Sequence, residues 1–182
     1  ILIGLVGSEM CIRDRVYENE FSAEWVRCIS QTSGMNEREK EEFLEKFSAA
    51  EGTLVGFCVM GGIFSEGIDL MGEKLIGAII IGTGLPQIGT EREILRQYYD
   101  KKGVNGFDYA YRYPGMNKVL QSAGRVIRTQ EDTGIILLLD ERFTGKDYRN
   151  LFPAEWSDRG NCTLNTVEEQ LGSFWNRIRE KN

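Results

Sequence analysis

Apolar residues along the chain fall into two kinds of pattern. Thr53 to Met60, Leu75 to Ile81 and Ile135 to Leu139 are apolar at nearly every position, the last bounded by Gly134 and Asp140. Such runs predict strands covered on both faces, because a sheet with one wet face alternates apolar with polar residues. A shorter strand-like run spans Val26 to Ile29. Between the strands the period lengthens. Asn36 predicts a helix start, with Glu39 three residues on as in a capping box. Met35, Phe43, Leu44 and Phe47 supply the buried side of that helix and Gly52 its end. Further helices are predicted from about Glu91 to Tyr99 and from about Met116 to Thr129. The strand signal stops near Asn150, Phe152-Pro153 breaks the chain, and an amphipathic segment follows from about Val167 to Ile178. Alternating strands and helices predict an α/β fold, a parallel sheet with helices on both faces, followed by a C-terminal helical tail.

Composition narrows the function mainly by exclusion. The 182 residues are 41% apolar, enough for a core, and contain no histidine. That removes Ser-His-Asp and Cys-His nucleophiles, His-ligated zinc and histidine general bases. Cys11, Cys28, Cys58 and Cys162 lie far apart, with no CxxC spacing for zinc or an iron–sulfur cluster. They read as buried thiols of a reducing compartment, and no metal site is expected. The net charge of −6 means that any nucleic-acid binding must come from a local basic stripe. No apolar run approaches the roughly 20 residues that span a bilayer, so no membrane association and a cytoplasmic location are expected.

Residues 1–15 stand apart from this pattern. The chain opens on Ile1 and is expected to be a fragment. The run Ile3-Gly4-Leu5-Val6-Gly7-Ser8-Glu9-Met10-Cys11-Ile12-Arg13-Asp14-Arg15 resembles a translated sequencing-adapter peptide. This segment is expected to be non-native and is left out of the predicted elements; the other reading is a real, short first strand. The expected organisation is therefore 1–15 non-native, 16–150 one α/β domain, and 151–182 the tail.

In open parallel sheets, ligands bind at the carboxyl ends of the strands. Behind the Thr53 strand comes Gly61-Gly62-Ile63-Phe64-Ser65-Glu66-Gly67-Ile68-Asp69-Leu70. Glycines let backbone N–H groups approach a phosphate, and Ser65 adds a hydroxyl. Glu66 and Asp69 are acceptors for a cation, an arginine or a ribose hydroxyl. An ordinary strand-to-helix turn with an Asp cap fits the same residues. The next loop, Gly82-Thr83-Gly84-Leu85-Pro86-Gln87, starts like a dinucleotide fingerprint and fails it at Gln87 and Pro86. On a continued helix, Gln121, Arg125 and Arg128 fall in one stripe opposite Met116, Val119, Leu120, Ala123, Val126 and Ile127. Guanidinium forks suit phosphate oxygens; a solvated face paired with Glu131 and Asp132 is the other reading. Gly124 inside that helix points to a close approach of backbone or ligand.

Gly62-x-x-Ser65-Glu66-Gly67-Ile68-Asp69-Leu70 resembles motif V of the XPD/DinG-type superfamily 2 DNA helicases. Gln121-x-x-Gly124-Arg125-x-Ile127-Arg128, with Asp132-x-Gly134 and Leu139-Asp140-x-Arg142-Phe143, resembles their motif VI region. The likeness covers about residues 25–150, with Ile81-x-x-Gly84-Leu85-Pro86 between the two motifs. It implies a RecA-like (P-loop NTPase-type) fold, the second such domain of an ATP-dependent DNA helicase, with DNA repair and replication both open as the process served. ATP and Mg2+ would be shared with an N-terminal RecA-like domain of the same protein, and single-stranded DNA is the implied partner. Arg125 and Arg128 would be arginine fingers, and Gln121 would place the attacking water or a phosphate oxygen. Glu66, Gly67, Asp69 and Gly124 would serve the nucleotide, while Ser65 and Thr83 would touch DNA phosphates. Neither GxxxxGK[ST] nor a DEAH-like box occurs here, so the chain alone is expected to be inactive, and any iron–sulfur cluster lies outside it. A non-catalytic RecA-like nucleic-acid or nucleotide-binding module is the alternative. Arg92, Arg96, Lys101, Lys102, Arg112 and Lys118 give one stretch a basic bias beside Tyr109, Tyr111 and Tyr113. Those tyrosines read either as base-stacking rings or as a half-buried strand.

Overall fold

The computed structural model describes residues 2–5, 26–32, 34–49, 52–62, 64, 75–127, 129 and 132–180. The apolar runs pair as parallel strands: β1 (Leu2–Leu5), β2 (Val26–Ser30), β3 (Thr53–Val59), β4 (Gly77–Ile81) and β5 (Ile135–Leu139), in the order β2-β3-β1-β4-β5. Residues alternate between the two faces. Leu54 and Cys58 of β3 and Ala78 of β4 join one buried cluster with Phe43, Phe47, Phe64, Leu75 and Val126. Val55 and Phe57 join a second with Val26, Cys28, Val59, Ile79 and Ile81. Covering both faces is what the unbroken apolar runs require. Ile80, fully buried, contributes on the order of 1.5–3 kcal/mol by itself.

Helix α1 (Glu37–Ser48) links β2 to β3. Its capping box is complete: the Glu39 N–H donates to Asn36 Oδ1 at 3.0 Å, and the Asn36 N–H donates to Glu39 Oε2 at 2.8 Å. The helix stops at Ala49, short of Gly52, which serves instead as a left-handed turn into β3 with φ 82°. Helix α2 (Thr90–Lys101) is followed by a π-helical turn, Asp108–Arg112, and by α3 (Tyr113–Ala123). After β5 come a 3-10 turn (Glu141–Thr144) and the short α4 (Lys146–Arg149).

The structure corrects four expectations. Leu2–Leu5 lies within the sheet, paired with both β3 and β4, so the short-first-strand reading describes its geometry. A slot between two parallel strands is filled through backbone hydrogen bonds and does not report the origin of the peptide that fills it. Helix α3 ends at Ala123 and not near Thr129. Gly124 caps it, and the Arg125 and Val126 N–H groups donate to Ser122 and Ala123 in a tightening turn that delivers Val126 to the core. Tyr109, Tyr111 and Tyr113 are helical and form no strand. Among the cysteines, Cys58 is buried and Cys28 half-buried, whereas Cys162 is exposed.

Residues divide into two compact units, Ile1–Arg149 and Asn150–Asn182. In the second, a 3-10 turn (Ala154–Trp156) packs Trp156 on Phe152 at 5.5 Å between ring centroids, and the Arg159 guanidinium lies 5.2 Å over Phe152. Helix α5 (Val167–Arg179) follows. No helix among the described residues is long and apolar enough to cross a membrane.

Two features of this fold generate measurable expectations. Asp140 caps the turn behind β5: its Oδ1 accepts from the Arg142 N–H and Nε, and its Oδ2 from Arg142 Nη2 at 2.6 Å. These hydrogen bonds from Arg142 hold the Asp140 carboxyl below its usual range and raise the guanidinium. A depressed carboxyl stabilises fully above the unfolded value of about 3.9 and loses that contribution as pH falls through the folded one. Urea unfolding of Asp140→Asn should therefore show a shallower loss of stability below about pH 4 than the parent. The second feature is a helix–loop crossing. A Cβ on Gly115 would lie 2.6 Å from the Thr83 carbonyl oxygen and 3.1 Å from Leu85 N. Gly115→Ala should destabilise by about 1–3 kcal/mol, although an unhindered Gly→Ala change in a helix gains about 1 kcal/mol. Gly172→Ala, with nothing within 4 Å in α5, should show that gain. Equal unfolding midpoints for the two variants would refute the tight crossing.

Candidate functional site

β2 and β3 lie to one side of β1, β4 and β5 to the other. Strands β3 and β4 flank β1, and their exit loops leave the same carboxyl edge, where a parallel sheet presents ligand-binding backbone. At the β3 exit Gly61 takes φ 78°, and the Gly62 N–H turns back onto the Val59 carbonyl at 3.0 Å. Two side chains grip this turn. Gln31, just beyond β2, accepts from the Val59 N–H through Oε1 at 3.0 Å. Lys118 of α3 lies across Gly61, where an added Cβ would stand 3.0 Å from its Cδ and Cε and 3.4 Å from Nζ. At the β4 exit Gly82 and Gly84 have φ 86° and 66°. Gly84 meets Gly115 backbone to backbone, a Cβ there standing 2.7 Å from the Gly115 carbonyl oxygen.

These contacts fix the path of α3. It starts beside the β4 exit at Gly115, passes the β3 exit at Lys118, and descends toward the amino end of the sheet. There Val126 packs where a Gly134 Cβ would also meet the Ile76 carbonyl. Gln121 is exposed on the last turn, Gly124 forms the cap, and Arg125 is half-buried in the turn beyond. The expected single helical stripe of Gln121, Arg125 and Arg128 is thus corrected: the helix ends before either arginine, because Val126 is drawn into the core. Arg128 lies outside the described residues, as do Ser65, Glu66, Gly67 and Asp69. Thr83 is placed at the β4 exit but only 1% exposed, and its Oγ1 has no hydrogen-bond partner among the described residues. Seven residues at a rise of about 1.5 Å separate Lys118 from Arg125, so roughly 10 Å of helix divides the rim from the motif VI turn.

The three arginines of the basic stretch are engaged within the domain. Arg92 donates to the Ala110 carbonyl, Arg96 pairs with Glu93 at 2.9 Å, and Arg112 pairs with Asp108 at 2.7 Å and Asp147 at 3.0 Å. Arg112 also lies over the Phe107 and Tyr148 rings. Tyr99 and Tyr109 stack on each other at 4.1 Å, with Tyr113 against Tyr109 edge-on. Tyr111 is buried and donates to Glu93 Oε1 at 2.6 Å; that bond, with burial, raises its pKa and keeps the phenol protonated. The tyrosines therefore bind α2 to α3. Gln31 and the seating of Lys118 had no signature in spacing, since both depend on contacts between distant elements. No group of three or more Cys, Asp or Glu among the described residues is arranged to hold a metal.

Comparison with known proteins agrees with this geometry. A family model described as the helicase C-terminal domain matches residues 11–159. A protein of Methanocaldococcus jannaschii named as a probable ATP-dependent helicase is 31% identical over 119 residues, 60% of this chain and 18% of that protein. The ATP-dependent DNA helicase DinG of Photobacterium profundum is 38% identical over 89 residues, 48% of this chain and 13% of that one. Among solved structures, one titled as an XPD helicase superposes with a TM-score of 0.61 at 22% identity, covering 82% of this chain and 26% of the other. A second, titled as apo XPD, gives 0.60 at 24% identity, over 82% of this chain and 30% of the other. This likeness establishes the RecA-like fold. The chain spans 13% and 18% of the two helicases' lengths. With its parallel sheet, the glycine turns at β3 and β4 and the motif VI turn at the foot of α3, the chain belongs to the family of helicase C-terminal domains, of the XPD/DinG type.

Proposed function

We propose that this domain is the second RecA-like half of an ATP-dependent DNA helicase. It would close on a partner domain that carries the phosphate-binding lysine and the Mg2+-holding carboxylates. The observation that carries the reading is the placement of the motif VI turn. Helix α3 is locked to the β4 exit at Gly115 and ends at Gly124, so Arg125 leaves the helix at a fixed point, half-buried. A guanidinium offers a planar pair of donors for phosphate oxygens. The chemistry of the donor set fits a nucleotide: Arg125 and Gln121 at the end of α3, and Arg128 three residues beyond. ATP, when bound, supplies the phosphoryl group whose transfer to water drives the cycle.

Arg125 and Arg128 would face the γ-phosphate across the domain boundary and stabilise the charge that develops during transfer. Gln121 would hold the water or a phosphate oxygen. Glu66, Gly67 and Asp69, which follow β3 in the sequence, would tie the nucleotide to the DNA-facing rim, where Ser65 is the proposed phosphate contact; Thr83, buried at the β4 exit, is not retained as one. Lys118 at the rim lies on α3 and the arginine turn follows directly from its end, so closure at one end would move the other. Repeated closure and opening would then advance single-stranded DNA.

In the protein carrying both domains, Arg125→Ala or Arg128→Ala should lower DNA-stimulated ATP hydrolysis by about 10³-fold or more. Affinity for single-stranded DNA should stay within a few-fold of the parent. Arg125→Lys should not restore the rate, because an ammonium lacks the planar fork. Steady-state ATPase assays with and without oligo(dT) measure this, and an undiminished rate in both alanine variants would remove the arginine-finger role.

A further inference from the structure

We propose that Lys118 is a phosphate-contacting residue, seated on Gly61 at the exit of β3. The assignment rests on the helicase reading above and adds to it a residue that neither motif V nor motif VI contains. Three observations carry it. First, the stem is held: Lys118 lies so close over Gly61 that a Cβ there would meet Cδ and Cε at 3.0 Å, and Gly61 occupies a left-handed φ of 78°. That conformation favours glycine, and the missing side chain leaves the groove in which the lysine stem lies. Second, the charge is uncommitted. Arg92, Arg96 and Arg112 of the same stretch are each tied to a carbonyl or carboxylate, whereas Lys118 makes no ion pair or hydrogen bond with any described residue. Third, the position is at the sheet's ligand-binding edge. Helical side chains lean toward the helix N-terminus, so Lys118 is directed from α3 up to the carboxyl rim, over Gly61.

The ammonium of a half-buried lysine at a glycine turn, with no ion pair to a described carboxylate, suits a phosphate oxygen. Two sources supply that chemistry here, the backbone of single-stranded DNA and the phosphates of the nucleotide. Roughly 10 Å of helix between Lys118 and Arg125 favours the DNA backbone, since the arginine turn is the nucleotide end.

The test compares Lys118→Met, which keeps the stem and removes the charge, with Lys118→Arg and Gly61→Ala in the protein carrying both domains. Fluorescence anisotropy with oligo(dT) is read across about 50–200 mM salt, together with the KM for ATP without DNA and the thermal midpoint. Loss of one phosphate contact should reduce the salt slope of log K by about 0.7 in Lys118→Met, with several-fold weaker binding at low salt. Lys118→Arg should restore the slope, and Gly61→Ala should weaken binding although the charge remains. A raised KM for ATP with an unaltered slope would support the phosphate assignment with the nucleotide as its source. Unchanged slope and KM in Lys118→Met, with or without a lower midpoint, would overturn it and leave Lys118 a packing residue. If the parent neither binds oligo(dT) nor hydrolyses ATP, the helicase reading falls and takes this assignment with it; an active parent with an unaffected Lys118→Met variant overturns this assignment alone.

Discussion

Where β4 hands the chain to its exit loop, the backbone runs against the first turn of α3 with no side chain between them. Gly84 and Gly115 face each other at distances that exclude a methyl group on either, and the Thr83 carbonyl lies in the same contact. A helix packed on side chains can slide or rotate by fractions of a turn at little cost. One packed on backbone cannot, because the opposing atoms are stiff. Every statement about the candidate site depends on that contact, since α3 carries both the lysine at the rim and the turn that bears Arg125.

From this joint the helix acts as a ruler. Its head sits at the carboxyl end of the sheet and its foot near the amino end, where Val126 is pulled into the core beneath Gly134. Residues spaced along it are held at fixed depths, which separates the carboxyl rim from the turn that bears Arg125. The aromatic and ionic contacts of the preceding segment serve the same end. Tyr111 on Glu93, Tyr99 on Tyr109, and Arg112 between Asp108 and Asp147 brace α3 against α2 and α4. Arg92, Arg96 and Arg112, which a composition count assigns to a binding surface, are engaged in holding the ruler straight.

The parts of the fold legible from the chain were those decided locally. The capping box at Asn36 and Glu39 is a matter of three residues, and it is present as read. The doubly covered strands follow from runs with no polar face, and β3, β4 and β5 appear within two residues of their expected ends. Motifs V and VI are likewise local strings, and the family they indicate is the one to which the chain belongs. Two of the misreadings share one cause. Periodicity carried α3 past Gly124 because Val126 and Ile127 kept the helical spacing; Val126 is indeed buried, but through a turn, and Ile127 is 41% exposed. The alternating tyrosines satisfied a strand period while their rings stacked between helices.

What the amino-acid order determined by itself was therefore the inventory: which segments are strands or helices, where α1 starts, and which glycines and arginines the two motifs contain. Each of these needs only neighbours within a few residues, where sterics and hydrogen bonding act directly. Tertiary structure alone decided where α3 stops, which cations remain available, and that Lys118 and Gln31 meet the glycines behind β3. Those outcomes are settled by atoms dozens of residues apart competing for the same space, and no local spacing encodes the winner.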